Sequence, residues 1–217
     1  MRRRRPTHQN ASHILGQEYE SVEYTLPEEW FPTKQKRIDE GAHFMNLPYL
    51  EDGDVLLTES GAIPYYLCQR FNKDLFGKTA LDTARVIQIN GVLVDLHRAV
   101  VKTAFREDAK EALAKNIKEG GAATKLFAKL STFLGDKEFL LGYLTYADLN
   151  VAYRFFFYRS VLLNFEFEDI GPKFPNLLEH CKRIHNHDVL KGYIGGKYHP
   201  PCLNVAEFPW YKDVPLP

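Results

Sequence analysis

Cysteine is scarce in this chain: three residues among 217, at Cys68, Cys181 and Cys202. They are far apart and odd in number, and their spacing fits no metal motif. A reducing, cytosolic setting follows. Long apolar runs are absent; none reaches the roughly 20 residues that a membrane span requires. No apolar segment follows the basic residues at the N-terminus, so the sequence does not read as a signal peptide. Net charge is lacking as well. Its formal value is zero, and no global field argues for nucleic acid or membrane as a partner. The exception is Arg2 to Arg5, which reads as a solvated tail, with a nuclear signal or an anionic-surface contact as the alternatives. The eight histidines, including His185 and His187 in "HNHD", have no partner set for a metal. No internal repeat is found.

What is present suffices for a folded core: 45% of residues are hydrophobic. The chain changes character near residue 75, and the reading is two domains, 1–74 and 79–217. In the first, Glu18 to Thr25 alternates with period two and predicts a strand. "PEEWFPTKQKRIDEGAHF" carries two prolines and reads as a loop-rich connection. Leu47 to Leu50 and Val55 to Thr58 predict two strands around "EDGD", where Asp52-Gly53 signals a hairpin. Gly61 to Asn72 places Ile63, Tyr66, Leu67 and Phe71 on one helical face.

After Lys78 the sequence reads as helices. Asp82 to Arg106 repeats Val86, Ile89, Leu93, Leu96 and Val100 at helical spacing. Lys110 to Leu134 is a second helical segment, weakened by Gly120-Gly121. Ala147 to Leu162 is apolar nearly all round and predicts a buried helix. Pro175 to Asn186 is a fourth. "GGKYHPPCLNVAEFPWYKDVPLP" holds too many prolines for regular structure.

"LTYADL" carries a physical signal of its own. Thr145 as N-cap accepts from the backbone N–H of Asp148, and the Asp148 carboxylate reaches back to the N–H of Thr145. Leu144 and Leu149 form the accompanying hydrophobic staple. The helix that follows is apolar, so its terminal N–H groups are buried and need partners.

"NLPYLEDGD", "TESGAI", "LTYADL" and "FPNL", in this order and at these separations, resemble the cytosolic glutathione transferases. The resemblance runs from about Tyr19 to Tyr193. It is nearest to the mu-like and related tyrosine-type classes, because Trp30 and Lys34 stand four apart ahead of "NLP". It implies a thioredoxin-like α/β N-terminal domain, an all-helical C-terminal domain and a homodimer. It also implies glutathione as co-substrate, with no metal, and detoxifying conjugation of small apolar electrophiles in the cytoplasm.

The resemblance assigns roles. Leu47 precedes a cis Pro48, and its exposed backbone N–H and C=O pair with the cysteinyl part of glutathione as an added strand would. Ser60, at a helix start, suits the γ-glutamyl carboxylate, and Glu59 favours the ligand's ammonium. Trp30 and Lys34 approach the glycyl end, with Asn46 as an auxiliary contact. Asp95 reaches the γ-glutamyl amine bound by the neighbouring subunit. The second substrate lies around Leu96, Val100 and the C-terminal segment, where Trp210 and Tyr211 cover it or close the core. Read without the resemblance, Ser60 is an N-cap, Pro48 an edge-strand proline, Trp30 packing, and Lys34 and Asp95 solvated charges.

One feature departs from the family. Its tyrosine-type members stabilise the glutathione thiolate with a tyrosine at the end of the first strand. Here no tyrosine precedes Tyr19, and residues 1–18 hold no apolar strand. Thr7, Ser12 and His13 are the only polar candidates nearby; Ser12 is the least implausible substitute hydroxyl, read otherwise as a helix-cap or loop residue, and the catalytic residue stays unassigned. The alternative reading is therefore a non-catalytic glutathione-binding or structural member of the same fold.

Overall fold

The structure is a computed structural model that describes residues 15–20, 22, 24, 27–104 and 106–190. Arg2 to Arg5, Thr7, Ser12, His13, Cys202, Trp210 and Tyr211 lie outside the described residues. The chain divides between Lys73 and Asp74 into two compact units.

The first unit is built from α1 (Pro27–Asp39), β1 (Tyr49–Asp52), β2 (Val55–Thr58) and α2 (Ala62–Phe71). The segment of α1 was expected to be a loop on account of its prolines, and it is a helix of 13 residues. Pro27 occupies the first helical position, where a missing N–H matters least. Pro32 lies inside and deletes only the bond to the carbonyl four residues back. Glu28 and Glu29 in the first turn, with Lys36 and Arg37 in the last, complement the helix dipole. Trp30 anchors the inner face, at 4% exposure.

β1 and β2 pair antiparallel, with Tyr49 opposite Thr58 and Asp52 opposite Val55. A two-residue turn joins them. Gly53 takes φ of 60° at its first position, a region where a side chain would be strained. From α2, the Tyr66 hydroxyl donates to Asp52 at 3.1 Å and Arg70 forms an ion pair with the same carboxylate. These contacts tie the hairpin tip to the helix.

The expected strand at Glu18 to Thr25 is not observed. Its described residues, Glu18, Tyr19, Glu20, Val22 and Tyr24, have no strand assignment, and β1 and β2 are the only strands among the described residues. Alternation alone does not make a strand; a ladder partner is needed, and the described residues supply none.

The second unit is helical: α3 (Ala80–Ala104), α4 (Ala109–Ile117), α5 (Ala122–Leu134), α6 (Tyr146–Asn164) and α7 (Pro175–His185). The segment expected to be one helix from Lys110 to Leu134 is broken at Gly120-Gly121 into α4 and α5. A 3-10 turn, Lys73–Phe76, leads to Gly77, whose φ is 124°. A Cβ at Gly77 would stand 2.4 Å from the Thr83 backbone nitrogen, so only glycine fits.

α6 is the centre, packed on α3 and α7. Its apolar surround is the reason: Leu149, Phe155, Tyr158 and Leu162 are all buried. Phe127 of α5 sits edge-on to Phe155 at 5.0 Å and 5.3 Å from Tyr158. The Asn176 side chain staples α7 to α5, accepting from Ser131 Oγ at 2.6 Å and donating to its carbonyl at 2.9 Å.

The start of α6 is a buried polar knot. Thr145 and Asp148 form a capping box, both at 0% exposure. Asp148 Oδ2 accepts from the Thr145 N–H at 2.8 Å and its hydroxyl at 2.7 Å. Oδ1 accepts from the Leu140 N–H at 2.7 Å and lies 3.6 Å from His180 Nε2 of α7. Burial pushes the Asp148 carboxyl up and holds the His180 imidazole down. Two thiols are enclosed as well. Cys68 of α2 and Cys181 of α7 are free and buried, and burial raises each to about 12.

Candidate functional site

The open end of the β1–β2 hairpin gathers most of the residues singled out from the sequence. Because Tyr49 pairs with Thr58, the residues just before β1 and just after β2 lie at the same end. Before β1 stands the Leu47–Pro48 peptide bond, which is cis. Leu47 makes no backbone hydrogen bond with the described residues. The bend has taken its N–H and C=O out of the ladder, and they remain available to an extended ligand. Asn46 beside it is exposed.

After β2 the backbone turns sharply. Glu59 has φ of 76°, a left-handed conformation worth about 1–3 kcal/mol of strain for a residue with a side chain. The turn aims the Glu59 carbonyl at α2, where it accepts from Ala62 and Ile63 N–H, both at 3.1 Å. The N-cap of α2 is Gly61, with no side-chain cap bond. Ser60 was read as either a cap or a ligand group, and its hydroxyl bonds no described residue. Ser60 is half-buried and Glu59 exposed.

Trp30 and Lys34 are four apart on α1 and share a face. The Trp30 ring stacks on Tyr49 at 6.1 Å and tilts against Tyr24 at 5.2 Å. Trp30 therefore packs beside the cis bend, since Tyr49 follows Pro48 directly. The Tyr24 and Tyr49 hydroxyls are 2.8 Å apart, and burial together with this bond raises the Tyr49 phenol. Sequence reading missed this tyrosine pair; the available signal was an aromatic residue directly after the proline. Lys34 is half-buried, with no carboxylate in ion-pair range among the described residues.

Asp95 stands apart, exposed on α3 of the second unit. Leu96 and Val100 on the same helix are buried. Among the described residues, no group of three or more His, Cys, Asp and Glu could hold a metal ion, and no helix is long and apolar enough to cross a membrane.

Known proteins share this arrangement. The family profile described as "Glutathione S-transferase, N-terminal domain" matches residues 9–69, and that described as "Glutathione S-transferase, C-terminal domain" matches residues 94–197. Glutathione S-transferase Mu 1 of Bos taurus is 30% identical over 188 residues, spanning 81% of this chain and 78% of that one. The class-mu 26 kDa isozyme 51 of Fasciola hepatica is 29% identical over 184 residues, spanning 83% and 78%. Among solved structures, a major nematode-specific glutathione transferase of C. elegans superposes with a TM-score of 0.71 at 27% identity, covering 88% of this chain and 90% of that one.

The chain belongs to the glutathione S-transferase family and is mu-like within it. Its two units correspond to the family's thioredoxin-like and all-helical domains. The function is that of a glutathione transferase-like enzyme.

Proposed function

We propose that the open end of the β1–β2 hairpin holds glutathione and presents its thiolate to small, mostly apolar electrophiles. One observation carries the reading. Leu47 and Ser60 lie at the same end of the hairpin, with backbone groups and a hydroxyl committed to no described partner. The Leu47 N–H and C=O pair with the cysteinyl segment. The Ser60 hydroxyl, with the start of the α2 dipole, donates to the γ-glutamyl carboxylate. The Glu59 carboxylate favours the ammonium group. The indole N–H of Trp30 and the ammonium of Lys34 serve the glycyl carboxylate, with Asn46 alongside.

In the reaction the thiol releases its proton to solvent and the thiolate sulfur bonds to an electrophilic carbon, displacing a leaving group with its bonding electron pair or adding to an activated double bond whose carbanion then takes a proton from solvent. The protein contributes proximity and thiolate stabilisation, without a covalent enzyme intermediate or a metal. The assembly proposed is a homodimer in which Asp95 faces the glutathione of the neighbouring subunit. The setting proposed is the cytoplasm, where free thiols such as Cys68 and Cys181 persist, and the role is detoxification.

The second reading is glutathione binding without conjugation. Two assays separate them. Retention on immobilised glutathione is expected for the full chain. Ser60→Ala should weaken that binding about tenfold, the value of one hydrogen bond to a charged group. Intact protein that never binds would remove both readings. Conjugation of a chromogenic aryl halide is expected under the first, and binding without conjugation would select the second.

A further inference from the structure

A free thiol titrates near about 8.5, so a glutathione thiol ionises at neutral pH only with a donor or a cation at its sulfur. At the open end of the hairpin, Trp30, Lys34 and Ser60 serve the two carboxylates of the ligand. A further donor stands there in the Tyr24–Tyr49 pair.

The two phenol oxygens lie 2.8 Å apart. Two hydroxyls bring two hydrogens, and the bond between them uses one. Neither phenol has another hydrogen-bond partner among the described residues, so the second hydrogen is uncommitted. Both side chains are half-buried, which leaves that hydrogen within reach of a ligand. Burial, and then the mutual bond, raise the Tyr49 phenol. Tyr49 is therefore the member that keeps its hydrogen in the pair, and the oxygen of Tyr24 accepts it. An O–H whose oxygen already accepts a hydrogen bond is the stronger donor.

Packing and position suit Tyr24 to the sulfur. Its ring is held by Trp30 at 5.2 Å, and Trp30 in turn stacks on Tyr49 at 6.1 Å. The charges that act on Tyr49, Glu51 and Arg37, are ion-paired to each other, so neither is free to serve the sulfur instead. A cysteinyl segment added opposite Leu47 has Tyr49, two residues along, as its diagonal neighbour. That separation is about 7–8 Å, a span that aromatic side chains bridge.

We propose that the Tyr24 hydroxyl donates to the glutathione sulfur, with Tyr49 as the residue that positions and polarises it. The proposal rests on glutathione occupying the end of the hairpin. The thiol proton leaves to solvent, while Tyr24 keeps its own and stabilises the thiolate left behind.

The test follows glutathione bound to the full chain, reading the thiolate by its ultraviolet difference absorbance as pH is raised. Tyr24→Phe should raise the pH of half-ionisation by about 1–2 pH units, the value of one hydrogen bond to a charged group. It should lower kcat with a chromogenic aryl halide about tenfold to a hundredfold, while retention on immobilised glutathione persists. Tyr49→Phe leaves the Tyr24 hydroxyl in place and should give a smaller change in the same direction. Replacing Tyr24 by 3-fluorotyrosine keeps ring and hydroxyl but strengthens the donor, and should move half-ionisation to lower pH. A residue that only packs would show no such shift, and this replacement decides the matter should Tyr24→Phe fail to fold. A Tyr24→Phe profile identical to that of the unmodified chain, or a larger effect from Tyr49→Phe, overturns the proposal and leaves glutathione binding standing. A folded chain that never retains glutathione overturns both.

Discussion

Asp148 does more than a helix cap. A cap exchanged for alanine ordinarily costs about 1 kcal/mol, because water replaces the lost oxygen. Here the carboxylate is fully buried and accepts from Thr145 and from Leu140, which precedes the helix. Asp148→Ala strands two enclosed backbone N–H groups, each worth about 1–3 kcal/mol when left unpaired. The expected loss is therefore about 3 kcal/mol, read as a lowered urea midpoint with an unchanged slope. A loss near 1 kcal/mol would mean that solvent reaches the site. The local half of this knot was legible from Thr145 and Asp148 at capping-box spacing. Leu140 and His180 were not, because folding alone brings them to Asp148. The same holds for Ser60: sequence placed it at a helix start, and the geometry that frees its hydroxyl is the left-handed turn at Glu59.

At the scale of elements, composition served α6 well and α1 badly. A helix apolar on every side has few options except the middle of a bundle, and α6 is there. α1 was hidden by its prolines, since position within the helix decides whether a proline breaks it. The predicted strand from Glu18 shows the converse, for pattern cannot supply a pairing partner.

α7 also carries a pH dependence. Its buried His180 and half-buried His185 both have imidazoles held below the usual 6.5, chiefly by desolvation. His185 donates from Nδ1 to the Cys181 carbonyl at 2.6 Å and meets repulsion from Arg159. A base whose folded pKa is depressed contributes stability above its unfolded pKa and loses it as pH falls. Asp148, with its raised carboxyl, acts in the opposite sense at lower pH. The melting temperature should therefore fall as pH drops below about 6.5, and His185→Gln should flatten that slope. A slope identical in the variant would refute the assignment. His185 gives the cleaner test because His180 titrates against Asp148.

For the whole molecule, the proposed dimer has surface to draw on. Phe44 in the first unit is 86% exposed and Phe31 60%, and an uncovered phenylalanine is an ordinary contributor to an interface. Sedimentation equilibrium should report twice the 25.1 kDa chain mass. A mass of one chain at micromolar concentration would leave Asp95 without its role.

The enclosed sulfurs bear on how such a protein fares among its own reactants. Thiol–disulfide exchange requires an accessible thiolate. At pH 7 a thiol titrating near 12 is ionised to the extent of about one part in 10⁵. Cys68 and Cys181 can therefore sit in millimolar glutathione and its disulfide without forming mixed disulfides, and a swing in redox balance leaves these two positions chemically silent.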